Sequence, residues 1–286
     1  MRYSIGGFEL KLKMARVHLF SDELMDGFVQ EDDVPSQLSY REEVLDPAML
    51  SESKLLNRTG GYELLETKEG LFLLNHWAQC RYGYGFWIKE LQGETRLFFH
   101  RDMERQIPLP VSYLLSTAGL HRKMLEQDAV VLHSSFIEYR GKAILFLGPS
   151  GMGKSTQAGL WQRHADAQLI NGDRTLLRAR NGIWYAHGYP CCGSSQVCLN
   201  RSLPLAAAVV LQQAKENQIM PLSPSRKICA LVAGTELYPW EDWELQKAFQ
   251  LAEKLATAVP VIGLSCRPDE DAVRLLQNYL ENNIWS

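Results

Sequence analysis

Apolar and polar positions change rhythm about a third of the way along the chain. Over the first hundred residues the apolar positions alternate or cluster in short runs, as in "GFELKLK" (7–13) and "ARVHLF" (15–20). Such runs predict strands. Two further pairs of runs flank "TKEG" (67–70) and "LQGE" (91–94) and predict hairpins. The polar stretch "SDELMDGFVQEDDVPSQLSYREE" (21–43) predicts loop with a short helix. "IPLP", Ile107 to Pro110, marks a break. After it "VSYLLSTAGLHRKMLEQ" (111–127) carries apolar residues at helical spacing and predicts one helix. "AVVLHSSFIEYRGKAILFLG" predicts two strands around "RGK", the second over Ala143 to Leu147. A helix follows from Lys154 to Arg163, then the strand "QLIN" and a hairpin turning at Asn181-Gly182. "AAAVVLQ" and "VPVIGL" are continuous apolar runs of the kind that fully buried strands show. Helices are predicted over "SRKICALVA", "WELQKAFQLAEKLATA" and "DEDAVRLLQNYLEN", with Asp269 as cap of the last. The expected fold class is α/β: a β-rich N-terminal domain over residues 1–108, then an α/β domain over 109–286.

Composition narrows the function classes. The chain has 286 residues, 46% of them hydrophobic, enough for one large or two modest cores. A net charge of −3 lacks the basic excess of a nucleic-acid binder, so no nucleic-acid partner is expected. No apolar run approaches the roughly 20 residues that cross a bilayer, and the first residues carry no signal-peptide pattern. The expectation is a cytoplasmic protein without a membrane partner. Six cysteines occur without a CxxC pair, and "CCGSSQVC" has no zinc-like partner at useful spacing, so reduced, packed thiols are expected. The aromatic clusters "YGYGFW" (82–87) and "YPWEDW" (238–243) read as core or helix start ahead of a binding platform.

The candidate chemistry sits where the strand Ala143–Leu147 ends. Gly148, Gly153, Lys154 and Ser155 in "GPSGMGKST" fit G-x-x-x-x-G-K-[ST], preceded by a strand and followed by a helix as that motif requires. Glycines let backbone N–H groups turn inward around an anion, and the new helix points its positive end at phosphates. Gly148, Ser150, Gly151, Met152, Gly153, Lys154, Ser155 and Thr156 are the expected nucleotide-binding residues. Lys154 supplies a charge to the outer phosphates and Ser155 a hydroxyl for magnesium. The expected cofactors are ATP and Mg²⁺. Asp173, in "LINGDR" after the next apolar strand, is the candidate to hold that metal or take a proton from a hydroxyl. His133, in "VVLHSSF", lies one hairpin upstream and joins the candidates if its strand pairs with Ala143–Leu147.

Those residues resemble a known family. Leu132 to Arg178 is similar to the catalytic domain of HPr kinase/phosphorylase and its relatives, which share a P-loop core with the ATP-dependent phosphoenolpyruvate carboxykinases. The shared features are a histidine on a strand (Leu132-His133), a short hairpin, the loop "GPSGMGKST", and an acidic turn after the next strand ("NGDR"). "HGYPCCGSSQ" (187–196) resembles a segment of shorter HPr-kinase-like proteins, among them kinases of lasso-peptide biosynthesis. The resemblance implies a P-loop kinase domain with Asp173, His133 and Lys154 as catalytic residues and Ser155 and Asp173 at the metal. It also implies an oligomer. One position departs from the family. An ungapped alignment puts Gly172 where the family has its first aspartate and Asp173 where it has its second. A one-residue shift would give Asp173 the first place and Arg174 the second.

The expected activity is transfer of the γ-phosphoryl group of ATP to a hydroxyl, serine first, of a peptide or protein, such as the precursor of a modified peptide. The alternatives are a small-molecule kinase of the free-serine type and a non-catalytic nucleotide-binding scaffold or sensor. The base could be His133, a carboxylate elsewhere, or a group of the substrate. The β-rich N-terminal part could hold a peptide by strand addition or cap the core.

Overall fold

The structure, a computed structural model, describes residues 1–15, 17, 19–58, 61–76, 83–88, 94–100, 108–238 and 242–285. Cys80, the turn within "LQGE", Ile107 at the proline break, and parts of both aromatic clusters lie outside that set. The chain is mixed α/β and divides into two compact units, Met1–Lys123 and Met124–Ser286.

The first unit is dominated by strands: β1 (Arg2–Ile5), β2 (Phe8–Lys13), β3 (Leu19–Phe20), β4 (Leu38–Val44), β5 (Lys54–Arg58), β6 (Tyr62–Thr67), β7 (Gly70–Asn75), β8 (Tyr84–Trp87), β9 (Glu94–Phe99) and β10 (Leu109–Pro110). Eight of them form one sheet in the order β1-β2-β4-β9-β8-β7-β6-β5, and β10 pairs with β3. The "TKEG" hairpin forms, with Thr67 opposite Gly70, and β8 and β9 pair antiparallel as expected for the second hairpin. A short helix, α1 (Glu23–Asp26), lies in the polar stretch. The rest of that stretch corrects the sequence expectation. Leu38–Val44 is an interior strand, parallel to both β2 and β9. Its apolar signal is thin because only Leu38 and Tyr40 point inward. Its charged half is satisfied across the sheet, by Arg41 Nε to Glu94 Oε2 at 3.1 Å and by the amides of Ala15 and Val17 donating to Glu42. The core beside β7 packs Phe72 edge-on to Trp87 at 4.9 Å.

The helix expected over 111–127 is two helices, α2 (Val111–Thr117) and α3 (Leu120–Glu126). Gly119 at φ 69° leaves the helical region and restarts the chain. The apolar spacing continued across the break because both segments bury the same kinds of residue.

The second unit holds β11 (Ala129–Tyr139), β12 (Lys142–Leu147), α4 (Lys154–His164), β13 (Gln168–Asn171), β14 (Arg174–Arg180), β15 (Ile183–Gly188), β16 (Ser202–Gln213), β17 (Gln218–Met220), α5 (Pro224–Gly234), α6 (Asp242–Ala258), β18 (Val261–Cys266) and α7 (Glu270–Asn283). β12, β16 and β18 run parallel side by side. Alternation along β12 explains its continuous apolar run. Ile144 and Phe146 face one core with Trp161 of α4 and Leu276 of α7. Leu145 and Leu147 face another with Leu231 of α5 and Leu251 and Leu255 of α6. A strand covered on both faces has no polar side to show, and each large apolar side chain so buried contributes roughly 1.5–3 kcal/mol.

β11 is shared by two parts of this architecture. Its first half pairs with β14, placing His133 opposite Arg174. Its second half pairs with β12 on one edge and β13 on the other. β14 and β15 form the expected hairpin, turned by Asn181 and Gly182 at φ 50° and 79°, the left-handed values of a two-residue hairpin. Asp269 caps α7 by accepting from the Ala272 amide at 3.1 Å.

Candidate functional site

The glycine loop connects the end of β12 to the start of α4. Gly151 and Gly153 have φ of 78° and 102°, a region other residues enter at a cost of 1–2 kcal/mol or so. No neighbour crowds a Cβ at either position, so these two glycines are required by backbone geometry alone. The amide of Gln157 donates to Gly153 O at 2.8 Å and opens α4 on the left-handed residue. Ser150, Gly151, Ser155 and Thr156 are exposed, and Gly148, Met152 and Gly153 are half-buried. Lys154 is 7% exposed and bends back over the loop, where Nζ donates to Gly148 O at 2.9 Å and Pro149 O at 3.2 Å. Burial pushes its pKa down, and the Asp173 carboxylate pulls the other way.

Asp173 sits in the turn between β13 and β14. Asn171, fully buried, sets that turn: its Oδ1 accepts from the amides of Asp173 and Arg174 at 2.9 and 3.0 Å, and its Nδ2 donates to Tyr189 O at 2.7 Å. β11 clamps the turn from the other side. The Ser134 amide donates to Asp173 O at 2.9 Å and Ser135 Oγ to Gly172 O at 3.0 Å. His133, the next residue along β11, brings Nδ1 to 3.5 Å from Asp173 Oδ1, an ion-pair distance. Burial lowers the His133 pKa first and the charge of Lys154 second, against Asp173, which raises it. The net direction is downward, which favours the neutral imidazole. His133, Asp173 and Lys154 share one electrostatic neighbourhood.

Four residues that the sequence reading did not assign to the site join it: Asn171, Arg174, Cys191 and Glu236. Arg174 bridges two carboxylates, with Nη1 to Asp173 Oδ2 at 2.9 Å and Nε to Glu236 Oε2 at 2.8 Å. Burial opposes its charge, but Glu236, Cys191 and Asp173 outweigh burial and keep the guanidinium charged. Glu236 arrives from the segment after α5, whose Thr235 bridges to Leu132 and whose Glu236 amide donates to Val131 O at 2.9 Å. Cys191 Sγ accepts from Arg174 Nη1; burial pushes that thiol's pKa up, while Arg174 pulls it down. Asn171 was readable in hindsight, because Asn-Gly-Asp is a side-chain-closed turn. Glu236 carried no signal, being 62 residues from its partner.

Gly172 has a steric explanation. A Cβ there would overlap Ser195 Oγ and Cβ. Ser195 is fixed by donating to Cys192 O at 2.7 Å and accepting from the Val197 amide at 3.2 Å. Gly193 approaches the same turn less closely, where a Cβ would lie 3.0 Å from Asp173 Cβ. The segment Cys191–Ser195 thus occupies the space that a second acidic side chain at Gly172 would need.

Magnesium usually takes one or two protein oxygens and completes its shell with phosphates and water. The Ser155 hydroxyl and the Asp173 carboxylate fit that pattern, though Arg174 competes for Oδ2. Among the described residues no group of three or more His, Cys, Asp and Glu side chains is gathered as for a metal, "CCGSSQVC" included. None of the helices described is long and apolar enough to cross a membrane.

The fold and loop define a mixed α/β protein whose glycine-rich loop joins a buried parallel strand to a helix. The family model described as SynChlorMet cassette protein ScmC matches residues 102–266, more than half of the chain, and the chain belongs to that family. Among solved structures it is similar to the Hpr(Ser) kinase/phosphatase from Coxiella burnetii, at 17% identity over 53% of this chain and 93% of that one. The TM-score of 0.31 is too low to establish a shared fold. No curated protein matches the chain.

Proposed function

We propose that this protein is an ATP-dependent kinase that transfers the γ-phosphoryl group to a hydroxyl, serine first, of a peptide or protein substrate. The observation that carries the reading is the convergence of His133 and Asp173, 3.5 Å apart, in the electrostatic reach of Lys154. A phosphate loop alone fits many activities; a loop facing a neutral imidazole and a carboxylate fits hydroxyl activation. The backbone amides of Ser150 to Thr156 hold the phosphates, and Lys154 exchanges its loop carbonyls for phosphate oxygens. Ser155 and Asp173 would hold magnesium, which when bound neutralises charge on the transferring group. His133 is the better proton acceptor, because Asp173 already faces Arg174. The acceptor oxygen forms a bond to the γ-phosphorus, its proton passes to the imidazole, and the bridging P–O bond breaks to release ADP. The description of the family as a cassette protein makes a peptide encoded in the same cassette the first substrate to test.

The test is mass spectrometry of that peptide after incubation with ATP, magnesium and the protein. A phosphoryl mass gain that Lys154→Ala abolishes supports the reading, and full product from that variant sinks it. One observation favours a second reading, a nucleotide-binding scaffold without turnover. Arg174 pairs with Asp173, and Ser195 fills the place of a second acid at Gly172. Nucleotide binding with no product on any peptide of the cassette would select it.

A further inference from the structure

Beside the glycine loop lies a cavity of about 450 Å³, between the start of α4 and the ends of β16 and β18. Its lining includes Met152, Gln157, Gln213, Cys266, Arg267 and Pro268. The volume is in the range of small-molecule pockets. Its floor is built. Gln157 is 2% exposed, and its Nε2 donates to Cys266 Sγ at 3.3 Å, a weak acceptor. Its Oε1 is buried without a hydrogen-bond partner. A buried amide oxygen left so is costly unless something comes to donate to it. The rim is fixed as well: Gln213 Nε2 donates to Gly151 O at 3.0 Å, tying β16 to the loop, and Arg267 Nε pairs with Asp269 Oδ2 at 2.8 Å.

We propose that this cavity takes the base of the nucleotide and that the Gln157 amide selects a 6-aminopurine, adenine, over a 6-oxopurine. The proposal rests on the phosphate-loop reading and deepens it by naming the place and the side chain that would choose the base. Gln157 is three residues beyond Lys154 on the same helix, and the lining of the cavity runs from Gly151, Gly153 and Thr156 of the loop to Gln157, so the cavity is continuous with the place proposed for the phosphates. A carboxamide matches the N6/N7 edge of adenine, since Oε1 accepts from the 6-amino group while Nε2 donates to N7, whereas a 6-oxopurine shows two acceptors on that edge. The last torsion of a glutamine is broad, and the soft Sγ contact leaves the amide free to turn its edge to a ligand. A 6-oxo group would set oxygen against Oε1. Among the described residues the lining holds no aspartate or glutamate, the side chains that accept from both N–H groups of guanine. Met152, Cys266 and Pro268 offer soft apolar walls, and the planar Arg267 guanidinium can lie on a ring face.

The experiment is equilibrium binding of ADP, GDP and IDP to the full chain with magnesium, each competed with inorganic tripolyphosphate, which reports on the loop alone. ADP is expected to bind about tenfold or more tighter than IDP and GDP, the scale of one good bidentate pair. Gln157→Leu, close in volume, is expected to bring the three ligands to one affinity. Gln157→Glu is expected to shift preference toward GDP. Equal affinity of ADP and IDP for the unaltered protein overturns the proposal while leaving the loop reading intact, and that comparison needs no variant to fold. Persistence of the ADP preference in folded Gln157→Leu overturns it too. Failure of every nucleotide and of tripolyphosphate to bind overturns the loop reading and this proposal with it.

Discussion

The two walls of the candidate site are built in opposite ways. The glycine loop is one stretch of consecutive residues, and its working groups are backbone amides shaped by glycines and by the first turn of α4. The facing wall is a set of side chains from four segments: His133 on β11, Asp173 and Arg174 after β13, Cys191 after β15, and Glu236 after α5. The first wall depends on torsion angles and tolerates side-chain change. The second depends on identity and on partners, so a change at one member is felt by the rest.

The sharpest way to break the contrast is at Lys154, the charged side chain of the loop. Lys154→Ala should lower phosphoryl transfer on the order of 10³-fold, the loss seen when a transition-state charge is removed. The readout is phosphopeptide yield, and a smaller loss than that of Ser150→Ala would reverse the ranking within the wall. Next comes packing behind Asp173. Gly172→Ala drives a methyl into Ser195 and should destabilise by roughly 1–3 kcal/mol, with partial recovery when Ser195→Gly is added. Thermal melts of the single and double variants decide it, and an unchanged midpoint in Gly172→Ala would refute the close approach.

Acid should weaken the strand that leads into the second wall. His187 is buried, and burial, then Arg180 and Arg178, push its pKa down to about 4. The folded chain keeps it neutral while the unfolded chain takes up a proton near pH 6.5, so stability is lost as pH falls from there toward 4. The slope is at most about 1.4 kcal/mol per pH unit. Melts at pH 7 and pH 5 should differ less in His187→Asn than in the unaltered protein. The smallest expected effect is a coupling. A double-mutant cycle of Arg174→Gln and Glu236→Gln should give an interaction of about 1 kcal/mol. Additive losses would mean that the two act independently and that the wall is less connected than its distances imply.

The same contrast decides what could be read in advance. The loop was legible because motif, preceding strand and following helix are contiguous, and the hairpins and most helices were legible for the same reason. β4 was not, since its charged residues are excused by partners on β2's continuation and on β9. Gly119 split a helix whose apolar spacing ran on unbroken. At the site, Asp173 and His133 were named from the sequence, but Glu236 and Ser195 were invisible, because Glu236 meets Arg174 and Ser195 meets Gly172 only once the chain has folded. Gly172 raised the question of a missing acid, and the answer lay over twenty residues downstream.

β11 offers a last consequence, for engineering. Because it is paired with β14 over its first half and carries His133, Ser134 and Ser135 in one run, a residue inserted between Ala129 and His133 would slip the three against β14 and turn each to the opposite face. The hairpin tip has no such duty at Arg140, which is half in solvent and pairs there with Glu281 at 2.8 Å, an exposed ion pair of small worth. It is the place to graft a label or a tether, so that the arrival of a substrate can be followed without touching the residues that receive it.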